Sequence, residues 1–422
     1  MVNMTARLVS RGENPSLVRW CVLFLRPLSS TAVYLGLSGA SAFFFAVFGT
    51  VSSVYRIQTA GLSPLQLILI GTVLELSVFI FEVPTGIVAD LYSRRRSVVI
   101  GMFLIGAGFV LEGLFPIFAT MLVAQVIWGV GATFESGAKE AWVADELGAE
   151  RVGDAYLQAA QVGQIASLAG VAVATLLGSV YLGLPLVAGG TGFFGIGVFL
   201  LLFMREDDFV PEPGNGHPLT AMRETLRTAS TLVRRTPVLL TILVITGVLG
   251  ASSETFDRLW EARILRIGLP DLGALPDLTW FGLISAGATL LSLLATEGVR
   301  RTERSSRFTV VLLAGISALL MLSVIGFGLA GNFALALAFY WSAYLPRRVN
   351  APLFAAWLNG YLEPRTRATV FSLNAQTDAL GQIAGGPLLG LLANVTLRGA
   401  FGAAGLLLLP AVFLYLRLLR RR

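Results

Sequence analysis

Residues 64–96 read PLQLILIGTVLELSVFIFEVPTGIVADLYSRRR. Residues 64–91 are almost entirely apolar, and Arg94, Arg95 and Arg96 follow shortly after them. A helix needs about 20 mainly apolar residues to cross the hydrocarbon core of a bilayer, and basic residues beyond its end favour the cytoplasmic side. This stretch therefore predicts a transmembrane helix that ends at the cytoplasmic surface.

The composition of the whole chain extends this prediction. Hydrophobic residues make up 55% and charged residues 13% of the 422 residues, whereas soluble domains carry about 25% charged residues. The single cysteine, Cys21, excludes intrachain disulfides and cysteine-based metal clusters, and the single histidine, His217, lies in a loop rich in proline and glycine. We expect a polytopic α-helical membrane protein with no cofactor and no metal site.

Twelve stretches are long and apolar enough to span a bilayer. They are too long and too uniformly apolar for barrel strands, so they must be helices. The predicted spans are residues 30–55, 64–91, 97–113, 119–144, 153–180, 186–204, 237–261, 278–298, 308–328, 333–362, 368–393 and 399–416.

The basic residues predict the orientation. Of 31 basic residues, 23 fall on one side of the twelve predicted spans. The other side receives Arg56, Arg263, Arg266 and Arg398, and the predicted spans themselves contain Lys139, Arg258, Arg347 and Arg348. This asymmetry places both termini in the cytoplasm of a protein of the cell membrane. The net charge of +6 is thus a topology signal, and we expect no nucleic-acid partner.

The chain divides into two similar halves. We expect an N-terminal interfacial segment at 1–29, a six-helix bundle at 30–204, a cytoplasmic linker at 205–236 and a second bundle at 237–422. Arg56-Ile57 with Gly61-Leu62 is echoed by Arg263-Ile264 with Gly268-Leu269. Two such parallel repeats predict pseudo-symmetric bundles with a substrate cavity between them near the middle of the membrane.

The end of the second span carries a recognisable motif. Residues 86–96, Gly-Ile-Val-Ala-Asp-Leu-Tyr-Ser-Arg-Arg-Arg, resemble the signature Gly-x-x-x-Asp-Arg-x-Gly-Arg-Arg of the major facilitator superfamily. Phe81-Glu-Val-Pro-Thr-Gly86 resembles a branch of that family rich in drug exporters. The resemblance implies twelve helices in two bundles and a cytoplasmic latch between the halves at this motif. The matching residues are Gly86, Asp90, Arg94 and Arg95. The three arginines are also suited to anchor the helix at lipid phosphates.

Carboxyl groups inside the spans are candidate proton carriers, because burying a charge at the bilayer centre costs at least about 2.5–3.5 kcal/mol. The candidates are Asp378, Glu75, Glu82, Glu135 and Glu254. Two interpretations of Glu82 are open, a packing role and a functional one. Glu135 and Lys139 are four residues apart, which allows either a fixed ion pair or a carboxyl group that titrates when its partner leaves.

Span seven carries Glu254, Asp257, Arg258 and Glu261. The spacing predicts a Glu254–Arg258 pair. We expect most of this cluster to be the solvated outer end of a gating helix, with Glu254 the deepest member. In span ten, either Arg347 or Arg348 is expected to bind an anionic group, or to pair with Glu135 or Asp378.

Polar stripes mark a candidate cavity lining. Asn374, Asp378 and Gln382 are spaced by four residues and share one face of span eleven. The repeat-related span five offers Gln158, Gln161 and Gln164. With Glu75, Arg347 and Arg348, these side chains are the predicted substrate contacts.

The chain contains no phosphate-binding loop and no convincing nucleophile–base pair, so we expect a transporter and not an enzyme. The expected function is proton-coupled export of an amphipathic small molecule by a monomer in the bilayer, through alternating access. Uptake or facilitated diffusion of a polar or anionic solute is the alternative, and a non-transporting receptor or chaperone is an alternative of another class.

Overall fold

The computed structural model describes residues 28–207, 209, 237–273, 276–300, 306–359 and 367–420. All regular structure within these ranges is helical. The helices are α1 (Ser30–Gln58), α2 (Pro64–Leu91), α3 (Arg94–Leu114), α4 (Phe118–Glu135), α5 (Ala138–Leu147), α6 (Ala149–Val180), α7 (Leu184–Phe203), α8 (Pro237–Ile267), α9 (Leu278–Arg300), α10 (Ser306–Leu329), α11 (Phe333–Asn359), α12 (Arg367–Val395), α13 (Leu397–Leu407) and α14 (Leu409–Arg420).

The helices coincide with the predicted spans. Each of the twelve predicted stretches is mainly helical where the structure describes it, and the fourth and the twelfth are interrupted. Within the described residues, nine helical segments are long and apolar enough to cross a membrane by length and composition alone. The interfacial segment predicted at 1–29 and the linker predicted at 205–236 lie almost entirely outside the described residues. The prediction of an all-helical membrane protein is confirmed.

Local sequence explains where the helices begin. Ser63 caps α2 by accepting a hydrogen bond from the Gln66 backbone, while the Gln66 side chain accepts one from the Ser63 backbone. This reciprocal capping box satisfies two amide groups that a helix N-terminus otherwise leaves unpaired. Ser93 caps α3 in a similar way by accepting a hydrogen bond from the Arg96 backbone amide.

The predicted fourth span is divided in the structure. α4 ends at Glu135, and Gly137, with φ of 72°, separates it from α5. This backbone conformation is strained for residues that carry a Cβ atom, so a glycine is suited to the break. The predicted twelfth span is also divided, at Leu408, between α13 and α14.

Aromatic side chains fill the centre of each half. In the N-terminal half, α1–α7, the rings of Phe48 and Phe109 stack, and Trp128 meets Phe109 edge-on with 5.1 Å between ring centroids. In the C-terminal half, α8–α14, Tyr340 lies 4.5 Å from Trp260 between ring centroids. Such pairs bury large apolar surfaces and fix the rotation of the helices that carry them.

α8 and α12 approach each other closely through small residues. A Cβ atom added to Gly385 would lie 2.6 Å from the backbone of Ala251, and one added to Gly381 would lie 2.3 Å from the Gly247 carbonyl oxygen. Helices in membranes associate through such close van der Waals packing, because lipid tails are as apolar as the side chains and helix association gains no hydrophobic driving force. This contact holds the polar faces of α8 and α12 side by side.

The substitution Gly385→Val tests this close packing. We expect it to lower the midpoint of thermal unfolding in detergent, since overpacking a helix contact costs about 1–3 kcal/mol. Gly402→Val is the matched control, because a Cβ atom at Gly402 meets no atom within 4 Å. Equal midpoints for the two variants would contradict the packing described here.

Candidate functional site

The two halves enclose a cavity of about 530 Å³. Helices α1, α2 and α4 line it from the N-terminal half, and α8, α9, α11 and α12 line it from the C-terminal half. The cavity thus lies where the repeat pattern places a substrate site. Its aromatic lining consists of Phe45, Phe48, Trp128, Trp260, Tyr340 and Tyr344.

Seven carboxyl and guanidinium side chains also line this cavity. They are Arg56, Glu75, Glu254, Asp257, Arg258, Glu261 and Arg348. Charged groups of both signs therefore face a space between two helical bundles, together with aromatic rings. Such a lining suits a molecule with an apolar body and a polar or charged group.

A second cavity of about 360 Å³ lies within the C-terminal half and shares Asp257 and Gln382 with the first. All three members of the polar stripe, Asn374, Asp378 and Gln382, line it. Gln382 donates to the Asp378 carboxylate at 2.9 Å, and Thr246 donates to the Asn374 side-chain oxygen at 2.6 Å. The stripe thus faces a cavity.

The predicted pair on α8 is present. Arg258 Nε lies 3.3 Å from Glu254 Oε2. α2 packs against this pair at Gly71, where a Cβ atom would lie 2.2 Å from Glu254 Oε2. The pair therefore sits directly against the N-terminal half.

Arg347 has a partner that the sequence did not predict. It donates two hydrogen bonds to the Asp257 carboxylate, at 2.6 and 2.5 Å. The predicted partners are engaged elsewhere, since Glu135 lies 2.5 Å from Lys139 Nζ and Asp378 accepts from Gln382. This bidentate bond links α8 to α11.

The expectation that most of the α8 cluster is a solvated outer end is wrong for Glu261, while Glu254 is buried as its place as the deepest member implies. Glu254 and Glu261 are only 1% and 5% exposed. α8 packs against α2, α11 and α12, so its charged face points into the protein. Asp257, the more exposed acid, is neutralised by Arg347, which reduces its repulsion of Glu261.

A buried triad in the N-terminal half was missed by the sequence reading. Arg56 donates to both Glu112 oxygens at 2.7 and 3.0 Å, and Gln125 donates to Glu112 at 2.8 Å. Arg56 was assigned to a loop, but α1 continues past residue 55 to Gln58 and buries it. The sequence did indicate a buried charge here, because Glu112 is the sole charged residue of α3 after its first turn.

Other predicted residues lie apart from these cavities. Gln158, Gln161 and Gln164 are exposed on α6 and do not belong to the lining of either cavity described above. The structure therefore does not bring the two predicted polar stripes together. Glu82 also lies outside both linings, and it accepts a hydrogen bond from the Ser136 hydroxyl at 3.2 Å, beside the break between α4 and α5.

The sequence-family model of the Major Facilitator Superfamily matches residues 33–345 of this chain. The chain belongs to the major facilitator superfamily. It is therefore a multi-pass membrane transporter, of a family whose members are generally not enzymes.

Relatives and solved structures agree with this assignment. An uncharacterised MFS-type transporter of Bacillus subtilis, YxaM, is 26% identical over 371 residues, which cover 83% of this chain and 85% of the relative. The crystal structure of the nucleoside transporter NupG superposes with a TM-score of 0.73 at 12% identity, covering 92% of this chain and 99% of that one. A peptide transporter, POT, in complex with sulfate gives 0.71 at 15%, covering 93% and 94%. The two structures establish the shared fold.

The motif after α2 of this MFS transporter makes contacts within the N-terminal half. Arg94 donates to the Asp145 carboxylate and to the Ala141 carbonyl oxygen on α5, and its Nε lies 3.9 Å from Asp90. Arg95 donates to the Leu201 carbonyl oxygen and, through its backbone amide, to Glu206. The motif thereby connects α2 and α3 to α5 and to the end of α7.

Removing the carboxylate of the buried triad tests its structural role. We expect Glu112→Ala to destabilise the transporter by about 3–5 kcal/mol, because it leaves the Arg56 charge buried without a counter-ion. Thermal unfolding in detergent measures the loss. The double variant Arg56→Met/Glu112→Leu is expected to recover most of the stability. An unchanged midpoint for Glu112→Ala contradicts the triad.

Proposed function

We propose that this transporter couples proton movement to the export of an amphipathic small molecule. The cavity of about 530 Å³ between the two halves is the proposed binding site. Its aromatic rings offer apolar contact and its charged side chains offer polar recognition. The two halves would expose this cavity alternately to the two sides of the membrane.

The balance of charges around the cavities carries the proposal. Three guanidinium groups are paired, Arg56 with Glu112, Arg258 with Glu254 and Arg347 with Asp257. Among the described residues, three acids that line the cavities have no ion-pair partner within 4 Å, namely Glu75, Glu261 and Asp378. Arg348 is the one arginine of the cavity linings that also has none. Carboxyl groups thus outnumber guanidinium groups by two. A membrane interior tolerates such an excess when protons or a cationic guest neutralise it.

The roles follow from the positions of the acids. We assign proton binding to Asp378 and Glu75, which lie on α12 of one half and α2 of the other and each face a cavity. Glu254 is proposed to join them when its contact with Arg258 opens. Glu82 and Glu135 are further proton-coupling candidates near the break between α4 and α5. Gly86, Asp90, Arg94 and Arg95 are the proposed cytoplasmic gate.

The remaining assignments rest on the sequence. The Phe81-Glu-Val-Pro-Thr-Gly86 motif supports a place in the exporter-rich branch. The distribution of basic residues supports a cell-membrane protein with both termini in the cytoplasm, and bundle boundaries at 30–204 and 237–422. We propose a monomer, since each chain holds a complete cavity between its own halves.

Proton coupling is tested in liposomes with ethidium as an amphipathic cationic probe. We expect an imposed pH gradient to accelerate ethidium transport, and Asp378→Asn and Glu75→Gln to abolish that acceleration, because neither amide can bind and release a proton at neutral pH. Asp154→Asn and Glu150→Gln are matched controls, since both acids are exposed at the start of α6. Identical wild-type transport with and without the gradient would falsify the coupling.

Uptake or facilitated diffusion of a polar or anionic solute is the second candidate function. Arg348 favours it, because this guanidinium lines the cavity and donates to the Tyr344 hydroxyl at 3.1 and 2.7 Å. A neutral hydroxyl is not a counter-ion, so this charge has no direct ion-pair partner among the described residues. An anionic group of a substrate would compensate that charge.

The substitution Arg348→Gln separates the two candidates. If the solute is anionic, the variant is expected to weaken binding of the anionic probe para-aminohippurate roughly tenfold, the size of one charge-assisted hydrogen bond, and to leave ethidium binding unchanged. Arg417→Gln, which removes an exposed charge on α14, is the control. Unaltered binding of para-aminohippurate by Arg348→Gln excludes this arginine as an anion contact.

A further inference from the structure

Three arginines converge on a third cavity that is separate from the substrate cavity. Only four arginines were assigned to the arginine-poor side of the membrane, and Arg56 is neutralised by Glu112. The other three, Arg263, Arg266 and Arg398, line one cavity of about 300 Å³ in the C-terminal half. Like charges repel, so this convergence requires an explanation.

The cavity is built from three chain segments. The C-terminal end of α8 contributes Arg263 and Arg266. The turn between α10 and α11 contributes Ala330 and Gly331, and the start of α13 contributes Thr396–Arg398. No carboxylate belongs to its lining in the described part of the chain. A volume of 300 Å³ corresponds to about ten water molecules at ~30 Å³ each, which is sufficient for a phosphate-sized group.

Arg263 is the buried member of the cluster. It is 3% exposed and donates to the Ala330 carbonyl oxygen at 2.7 Å. Its Nε is buried and has no hydrogen-bond partner among the described residues. A buried cationic donor without an acceptor is unfavourable, so the site lacks one acceptor that a bound anion would supply.

The repeat-related arginine shows what is missing. Arg56 and Arg263 occupy matching positions in the two halves of the sequence. Arg56 receives a full carboxylate from Glu112, whereas Arg263 receives a backbone carbonyl oxygen. Arg266 and Arg398 add two more positive charges beside Arg263. The C-terminal half has thus replaced an internal counter-ion with an open, positively charged cavity.

The first turn of α13 adds to the positive potential. Thr396 caps this helix by accepting a hydrogen bond from the Gly399 amide at 3.3 Å, and Thr396 also lines the cavity. A helix N-terminus carries a partial positive charge and unpaired amide groups, which favour anions.

We propose that this cavity binds a phosphate-bearing anion, either free phosphate or the phosphate of a lipid headgroup. Guanidinium groups match the geometry of phosphate oxygens and bind them bidentately. The cavity lies at the C-terminal end of α8, a helix long and apolar enough to span a membrane, so the proposal places it at the level of lipid headgroups. Arg266 and Arg398 are exposed and would contact the anion from outside, while Arg263 would contact it from within.

The full-length protein purified in detergent tests this site. One arm titrates inorganic phosphate and records the thermal unfolding midpoint. The other arm adds dioleoyl phosphatidylglycerol, or zwitterionic dioleoyl phosphatidylcholine for comparison, and counts retained lipids by native mass spectrometry. We expect Arg266→Gln/Arg398→Gln to weaken anion binding at least about tenfold, and Arg417→Gln, with one exposed charge removed from α14, to change it less than about twofold.

Each outcome decides the proposal. Stabilisation by inorganic phosphate that the double variant loses supports a site for free anions. Selective retention of phosphatidylglycerol that the double variant loses supports a lipid-headgroup site. If neither probe binds the wild type, or if the double variant binds both probes as the wild type does, the site is refuted. Arg263 is left intact in these variants because its bond to Ala330 also supports the fold.

Discussion

A low-dielectric membrane interior cannot hold isolated charges, and this constraint shapes every part of the structure described here. An ionised side chain there needs a counter-ion, several hydrogen bonds or water. Arg56, Arg258 and Arg347 each meet a carboxylate. Three acids have no such partner and face cavities instead of lipid, namely Glu75, Glu261 and Asp378. The unpaired acids therefore mark the cavities, where water, protons or a guest can compensate a buried charge.

The two halves compensate their buried charges in different ways. In the N-terminal half, the triad around Glu112 satisfies its charge internally and holds α1, α3 and α4 together. In the C-terminal half, the bidentate bond between Arg347 and Asp257 joins α11 to α8 beside the cavity, where Asp257 remains more exposed than Glu254. The Arg56–Glu112 pair is almost fully buried and meets the cavity only at Arg56, whereas Asp257 of the second pair is exposed. The buried pair supports the bundle, and the Arg347–Asp257 pair is placed where a guest or a proton can alter it.

Sequence reasoning predicted the helices because apolar length alone determines which segments cross a bilayer. It also predicted the Glu254–Arg258 pair, because both residues lie on one helix with a spacing of four. It did not predict the Arg347–Asp257 pair, since contacts between helices depend on how each helix is rotated. The predicted ends of the spans were the least accurate part of the prediction. α8 continues past residue 261 to Ile267, so Arg263 and Arg266 belong to a helix and not to a loop.

The central claim is that water fills the space between the halves, and cysteine labelling in membranes tests it most directly. In a Cys21→Ser background, Ser285→Cys places a thiol in the cavity, and Leu283→Cys places one at nearly the same depth on the opposite face of α9, where Leu283 is 51% exposed. The account predicts that a membrane-impermeant maleimide labels position 285 and not position 283. Labelling of neither position, or of both equally, would contradict a hydrated cavity between the two bundles.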